Sequence, residues 1–359
     1  MKRIRVLIVE DSAVVREFLQ YLIGQDPRLE VAAAVSSAEE ALRILDRAAP
    51  DVISMDIRLP GMNGFEATRR IMAQRPTPIV VISSSVESED LKISMNALRA
   101  GALTIIEKPV GTTHAGYEVL AERICTQLVI MSQVKVIRQR PGRAARFDGA
   151  EEVRPANPAL AFPRAATGPF RVMGVVASTG GPNALVELLN GLRATFPLPI
   201  LLVQHITASF LEGFAAWLNH VCPQEVVIVK EKEIPVPGKV YLAPPDQHLK
   251  LETGSLHADS SPPVCAQRPS GTVLFQSMAY SLGAQALGVL LTGMGEDGAE
   301  GLLEIRQAGG HTIAEDESTA VVYGMPRAAV GLGAASESLP LPAIAPRILE
   351  LVLTAQERS

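Results

Sequence analysis

The sequence predicts two α/β domains in tandem: a five-stranded parallel sheet near the N-terminus and a doubly wound, mainly parallel sheet in the second half. Three observations predict this. Short runs rich in Val and Ile alternate with helical patterns up to about residue 110. The alternation restarts at Arg171, and between the two blocks the composition shifts to Arg, Ala and Pro. A chain of 359 residues is also long enough for each block to bury its own core.

In the first block the strand-like runs are Val6 to Val9, Val31 to Val35, Val52 to Met55, Ile79 to Ile82 and Leu103 to Ile106. Helical patterns at Val14 to Ile23, Ala38 to Leu45 and Gly64 to Met72 separate the first four, so helices are expected on both faces of a parallel sheet. Leu120, Ile124, Leu128 and Met131 recur at helical spacing and predict a closing helix. Ligands of such sheets sit at the C-terminal strand ends. Those ends carry Glu10 with Asp11, Asp56, Ser83, and Lys108 followed by Pro109. Converging carboxylates repel one another unless they hold a hard divalent cation, and Mg²⁺ prefers such oxygen ligands. A lysine and a hydroxyl beside them suit phosphate.

Arg138 to Arg164 contains six arginines and four prolines without apolar periodicity, and is read as a flexible connector. The acids Asp148, Glu151 and Glu152 are interspersed, which argues against a nucleic-acid arm. From Arg171 onward there are 11 Lys or Arg against 18 Asp or Glu, so no basic face and no nucleic-acid partner is expected. The cysteines Cys125, Cys222 and Cys265 are too far apart for a disulfide framework or a metal knuckle. Val6 to Val9 is too short for a signal peptide. The uncharged stretch between Arg268 and Glu296 carries glutamines, serines and glycines, and reads as a buried helix and strand rather than a membrane insertion. A cytoplasmic protein is expected.

The second block opens on Phe170 to Asn183, where a Val-rich run breaks at Ser178, two glycines allow a tight turn and Pro182 suits the first turn of a helix. This places a hydroxyl beside unpaired N–H groups, where developing negative charge is favoured. An ordinary βα loop with Ser178 as helix cap fits the same residues. A nucleophile elbow is excluded by Val176, and a phosphate-cradling loop by the missing lysine after Gly181. Pro199 to Gln204 forms a second apolar run ending at His205. Leu287 to Leu291 forms a third, leading into a glycine-rich loop with Asp297. Ser178, His205 and Asp297 thus each follow a predicted strand, and one sheet rim can bring them together as nucleophile, base and orienting acid. The N–H of Met294 is the candidate oxyanion donor. His248 with Asp246 nearby is a rival base. His220, His257 and His311 lack strand-end context and are expected at the surface, and Asp297 before Gly298 also fits a plain turn.

Residues 1–122 resemble a response-regulator receiver domain, with a flavodoxin-like fold. The resemblance makes Glu10 and Asp11 the acidic metal pair, Asp56 the phosphoryl acceptor and the Arg58 carbonyl a further Mg²⁺ ligand, with Ser83 and Lys108 as switch hydroxyl and phosphate-binding lysine. Ile105 stands where the family usually has Tyr or Phe, so an aromatic rotation cannot be the whole switch. Residues 170–359 resemble the catalytic domain of the CheB protein-glutamate methylesterase family through Ala177-Ser-Thr-Gly-Gly181, Val203-Gln-His205, Tyr241-Leu-Ala-Pro244, Leu291-Thr-Gly-Met-Gly295 with Asp297-Gly-Ala299, and Val321-Val-Tyr-Gly-Met-Pro326. Residues 123–169 are left as a helix end and linker. The resemblance implies Ser178, His205 and Asp297 as catalytic triad, with Thr179 and Met294 beside the oxyanion. It implies hydrolysis of glutamate γ-methyl esters, and deamidation of glutamine, on the helical region of methyl-accepting chemoreceptors, after phosphorylation by a CheA-type histidine kinase. From the two-domain architecture the unphosphorylated receiver is expected to pack across the strand-end cleft, and phosphorylation of Asp56 to shift the domains toward an open arrangement. The alternative is a phosphorylation-controlled scaffold on a degenerate esterase fold.

Overall fold

The computed structural model describes residues 3–83, 96–98, 100–108, 114–134, 136 and 170–353. The expected connector, Arg138 to Arg164, lies outside them. The chain divides into two compact units, Met1–Arg154 and Pro155–Ser359.

The first unit runs β1 (Ile4–Val9), α1 (Ala13–Gln25), β2 (Leu29–Val35), α2 (Ala38–Ala48), β3 (Val52–Met55), α3 (Gly64–Gln74), β4 (Ile79–Ser83), β5 (Thr104–Glu107) and α4 (His114–Met131). Its five strands pair in the order β2-β1-β3-β4-β5, every pair parallel. The central strands β1, β3 and β4 bury residues on both faces, which is why they read as continuous apolar runs rather than alternating ones. Leu19, Leu22 and Ile23 of α1, Ala41 and Leu45 of α2, Ile71 and Met72 of α3, and Ile124, Leu128 and Met131 of α4 complete the core. Ser12, Ser37 and Asn63 cap the first three helices by accepting the N–H three residues on.

The second unit runs β6 (Val172–Ala177), α5 (Gly181–Leu192), β7 (Ile200–Gln204), α6 (Ala208–Val221), β8 (Glu225–Ile228), β9 (Lys239–Leu242), β10 (His248–Glu252), β11 (Ser255–Asp259), α7 (Gly271–Leu282), β12 (Ala286–Leu290), α8 (Ala299–Gln307), β13 (His311–Glu315), α9 (Met325–Gly331), β14 (Glu337–Leu339) and α10 (Leu341–Leu353). Seven strands form one sheet in the order β14-β13-β12-β6-β7-β9-β8, all pairs parallel, and β10 and β11 form a separate antiparallel hairpin. The sheet grows from β6 toward β7 and then, on the other side, toward β12. The strand order therefore reverses beside β6, where open α/β sheets leave a crevice.

Gly174 and Gly288 lie side by side in the β6–β12 register, and a side chain on either would meet Phe275 and Met278 of α7 or Leu302 and Ile305 of α8. The two glycines make the floor on which the buried Phe275 rests, so α7 and α8 pack close to the central strands. The stretch between Arg268 and Glu296 is α7 followed by β12. Among the described residues no helix is long and apolar enough to cross a membrane.

Candidate active site and phosphoryl-acceptor site

The βα turn after β6 is built by Gly180, in the left-handed region at φ +80°, and by Pro182 in the first turn of α5. Ala177 pairs with Gln204, and the N–H of His205 bonds the Ala177 carbonyl at 3.0 Å, so Ser178 and His205 leave adjacent strands at the same level. From the other side, the N–H of Ser178 bonds the Thr292 carbonyl at 3.0 Å. A Cβ on Gly293 would stand 2.8 Å from that of Ser178, so only glycine lets this loop approach the serine so closely. The Gln204 amide donates to the Ser178 and His205 carbonyls at 2.9 and 3.0 Å and ties the two segments together.

His205 Nε2 stands 2.8 Å from Asp297 Oδ2. Nδ1 is buried without a hydrogen-bond partner among the described residues. In the neutral tautomer whose Nε2 donates to the carboxylate, Nδ1 carries the lone pair. The ring is thus turned relative to the common arrangement in which Nδ1 faces the acid. No hydrogen bond joins Nδ1 to Ser178 in this structure.

Asp297 is nearly inaccessible, yet its carboxylate accepts four bonds. Besides His205 these come from Ser270 Oγ at 2.6 Å, Gly271 N–H at 2.6 Å and Thr272 N–H at 3.1 Å, all at the N-terminus of α7. Burial would raise its pKa, but the bonds from His205, Ser270 and Gly271 outweigh it and hold the carboxyl below the ordinary value. The helix N-terminus favours the anion further. The N–H groups of Thr179 and Met294 have no partner among the described residues, and Met294 is 39% exposed. The rim thus carries two backbone N–H groups without partners among the described residues.

The rival base is accounted for differently. His248 is fully buried, its Nδ1 accepting the Ser270 N–H at 3.1 Å and its Nε2 donating to the Pro262 carbonyl at 3.1 Å. Nδ1 holds the residue that caps α7 and grips Asp297, and Nε2 ties the ring to the Pro262 carbonyl. Asp246 pairs instead with Arg268 at 2.8 Å.

In the first unit Glu10, Asp11 and Asp56 each place a carboxylate oxygen within 4.8 Å of the others. Lys108 Nζ lies 2.8 Å from Asp56 and 3.0 Å from Glu10. Burial, with Asp56 beside it, pushes Glu10 up to about 7 against the pull of Lys108. Burial also raises Asp56, against Lys108 and the Arg58 N–H. For Lys108 burial acts downward, but the two carboxylates prevail and leave the ammonium above its ordinary value. Ser83 closes β4, fully buried, and its carbonyl accepts the Lys108 N–H at 2.9 Å. Gly64 passes so close to the Asp56 carbonyl that no side chain fits there.

A family model described as CheB methylesterase matches residues 173–348, and one described as response regulator receiver domain matches residues 6–115. A protein of Paramagnetospirillum magneticum named protein-glutamate methylesterase/protein-glutamine glutaminase 2 is 57% identical over 356 residues, 99% of each chain. The chain belongs to the CheB methylesterase family. A Nitrosospira multiformis protein-glutamate methylesterase/protein-glutamine glutaminase is 42% identical over 97% of each chain. The crystal structure of the Thermotoga maritima CheB methylesterase catalytic domain is 34% identical and covers 51% of this chain and 99% of its own, with a TM-score of 0.49.

Set against this CheB-type fold, the sequence expectations divide. Ser178, His205 and Asp297 all reach the rim where β6, β7 and β12 end, and Glu10, Asp11, Asp56, Ser83 and Lys108 gather at one end of the first sheet. Ile105 is half-buried on β5, paired in register with Val81. His220 is exposed as expected, but His257 is half-buried on β11, and His311 opens β13 half-buried, its Nε2 2.9 Å from the Glu337 carboxylate. These two correct the expectation of surface histidines: each sits on a strand paired with a neighbour, which covers part of its side chain. Sequence reasoning missed Ser270, Gly271 and Thr272 as holders of Asp297. A Ser just before the apolar Val273 and Leu274 is an N-cap signal that could have located the start of α7, though not what the helix points at.

Proposed function

We propose that the second unit hydrolyses glutamate γ-methyl esters on the cytoplasmic helices of methyl-accepting chemoreceptors, releasing methanol, and deamidates glutamines there. The observation that carries this is the His205–Asp297 pair, with Nδ1 left free on the rim where Ser178 follows the adjacent strand.

In this reading His205 Nδ1 takes the Ser178 proton as Oγ attacks the ester carbonyl, and Asp297, held ionised, balances the imidazolium. The N–H groups of Thr179 and Met294 receive the oxyanion. The tetrahedral species collapses as Nδ1 returns the proton to departing methoxide, leaving an acyl-serine. Water, deprotonated by the same nitrogen, then frees the glutamate carboxylate and restores Ser178. An amide enters by the same steps with ammonia leaving.

The receiver serves as the control element. A receptor-coupled histidine kinase of the CheA type transfers a phosphoryl group to Asp56 and raises the esterase rate, in the cytoplasm. Glu10, Asp11 and Asp56 fit Mg²⁺, because two buried carboxylates with raised pKa values crowd a third and Lys108 is the cation paired with those two. The Arg58 carbonyl would add a ligand. When bound, the metal neutralises charge on the phosphoryl oxygens. Lys108 is placed to grip the phosphoryl group, and Ser83 to meet it from β4.

The test is methanol release from methylated receptor membranes, with and without a small phosphodonor and Mg²⁺. The parent protein should release methanol faster with the phosphodonor, and Ser178→Ala should release none while keeping its fold. A Ser178→Ala protein that sustains the adaptation phenotype would replace the esterase with a scaffold.

A further inference from the structure

Thr292, two residues beyond β12, is fully buried, and its carbonyl and hydroxyl reach Ser178 and Thr179. Its carbonyl accepts the Ser178 N–H at 3.0 Å. Its hydroxyl donates to the Thr179 carbonyl at 2.9 Å and accepts the Val322 N–H at 2.9 Å. Its own N–H donates to Glu315 Oε2 at 2.8 Å. The Val322 carbonyl in turn accepts the Gly293 N–H at 3.0 Å, and the Gly293 carbonyl accepts the Met325 N–H at 2.9 Å.

The nucleophile and the Thr179 peptide on one side, and the Gly293–Met294 segment on the other, are therefore joined through one residue. Neither side can shift alone without breaking a buried hydrogen bond. Packing does not require this chemistry: Val has nearly the shape of Thr and would fill the same space. The hydroxyl is what holds two loops of distant sequence at a fixed separation, and the Glu315 carboxyl anchors the backbone behind it.

We infer that Thr292 is a positioning residue that sets the distance between Ser178 and the paired N–H donors of Thr179 and Met294. It touches no reacting atom. The inference rests on the esterase reading above and deepens it, naming what keeps the oxyanion site assembled before substrate arrives.

Thr292→Val, Thr292→Ser and Ser178→Ala, each in the full chain, test it by kcat and KM for methanol release from methylated receptor membranes. A displacement of order 1 Å at such a site costs about 100-fold, so Thr292→Val should lower kcat by about 10- to 100-fold with KM unchanged, and Thr292→Ser should stay within about threefold of the parent. Full kcat in Thr292→Val overturns the inference, as does Thr292→Ser falling as far as Thr292→Val, or a loss carried by KM. If Thr292→Val does not fold, Thr292→Ala takes its place, and equal kcat in the Ala and Ser variants overturns the inference. A parent no more active than Ser178→Ala overturns the esterase reading and this inference with it, whereas an active parent with an unaffected Thr292→Val overturns the inference alone.

Discussion

Replacing Glu315 by Gln should stabilise the second unit at neutral and alkaline pH. Glu315 closes β13 with no solvent exposure. Burial, helped by the charges of Glu187 and Asp316, pushes its carboxyl from 4.5 to about 7, against the pull of the Thr292 N–H and the Thr319 hydroxyl. A carboxyl harder to ionise in the folded chain binds its proton more tightly there. Its contribution to stability is therefore present below about 4.5 and is lost as pH rises to about 7. At about 1.36 kcal/mol per pKa unit, that rise corresponds to about 3 kcal/mol. Gln keeps an acceptor for the Thr292 N–H and cannot ionise. Above about pH 7 the variant should exceed the parent by up to about 3 kcal/mol, and the difference should vanish toward about pH 4.5. Trp217 is the only tryptophan in the chain and lies buried in the second unit, so urea unfolding followed by its fluorescence reports that unit. Glu10, also raised to about 7, belongs to the other unit and is common to both proteins. Parallel stability curves for parent and variant between about pH 5 and about pH 8 would refute the reasoning, because the carboxyl would then ionise equally in the folded and unfolded chain.

Other perturbations separate the roles assigned above. Ser270→Ala removes the cap of α7 and a 2.6 Å bond to Asp297, so it should cost about 1–2 kcal/mol in Trp217-monitored unfolding and lower kcat as well. His248→Leu leaves the Ser270 N–H and the Pro262 carbonyl unpaired, at a cost of about 1–3 kcal/mol. The pH at which its esterase rate is half-maximal should not move, and a shifted midpoint would return His248 to the role of base. Gly181→Ala drives a methyl into Gln204 Oε1, so kcat for methanol release should fall by about tenfold as Ser178 and His205 are pushed apart. Asp56→Asn, or chelation of divalent cations, should abolish labelling by a radioactive phosphodonor and leave the unstimulated esterase rate unchanged.

Much of the fold was legible because buried parallel strands announce themselves as short Val- and Ile-rich runs, and β1, β3, β6, β7 and β12 are all of that kind. The weaker strands were not legible. β8, β9 and β14 are three or four residues long with mixed polarity, and the β10–β11 hairpin carries His248, Lys250, Glu252, His257 and Asp259 between residues 248 and 259. Placement at a strand end was legible wherever a polar residue directly follows a strand-like run, as Asp56, Ser178 and His205 do. The support around the site was not, because Ser270, His248, Thr292 and Glu315 act through contacts made across 22 to 27 residues or more. Periodicity within a segment carries no trace of such partners. His248 is the instructive case: in sequence it competes with His205 as a base, and only the occupation of both its ring nitrogens assigns it to support.

Two buried carboxyl groups on the same rim show how surroundings decide what an acidic residue contributes. Asp297 receives four donors and a helix N-terminus, so it remains ionised despite burial and can offset a positive charge on His205. Glu315 is just as inaccessible but has acidic neighbours and fewer donors, so it keeps its proton to about pH 7. That difference suits an acyl-transfer site. In the esterase reading the anion is wanted beside the imidazole, where positive charge would appear as Ser178 lost its proton. In that reading a full negative charge on Glu315, bonded to the Thr292 N–H, would work against an oxyanion held on the adjoining loop, since charge repulsion acts strongly where water is excluded. A carboxyl raised to about 7 lets Glu315 anchor the Thr292 backbone while carrying less negative charge near neutral pH than an ordinary glutamate would.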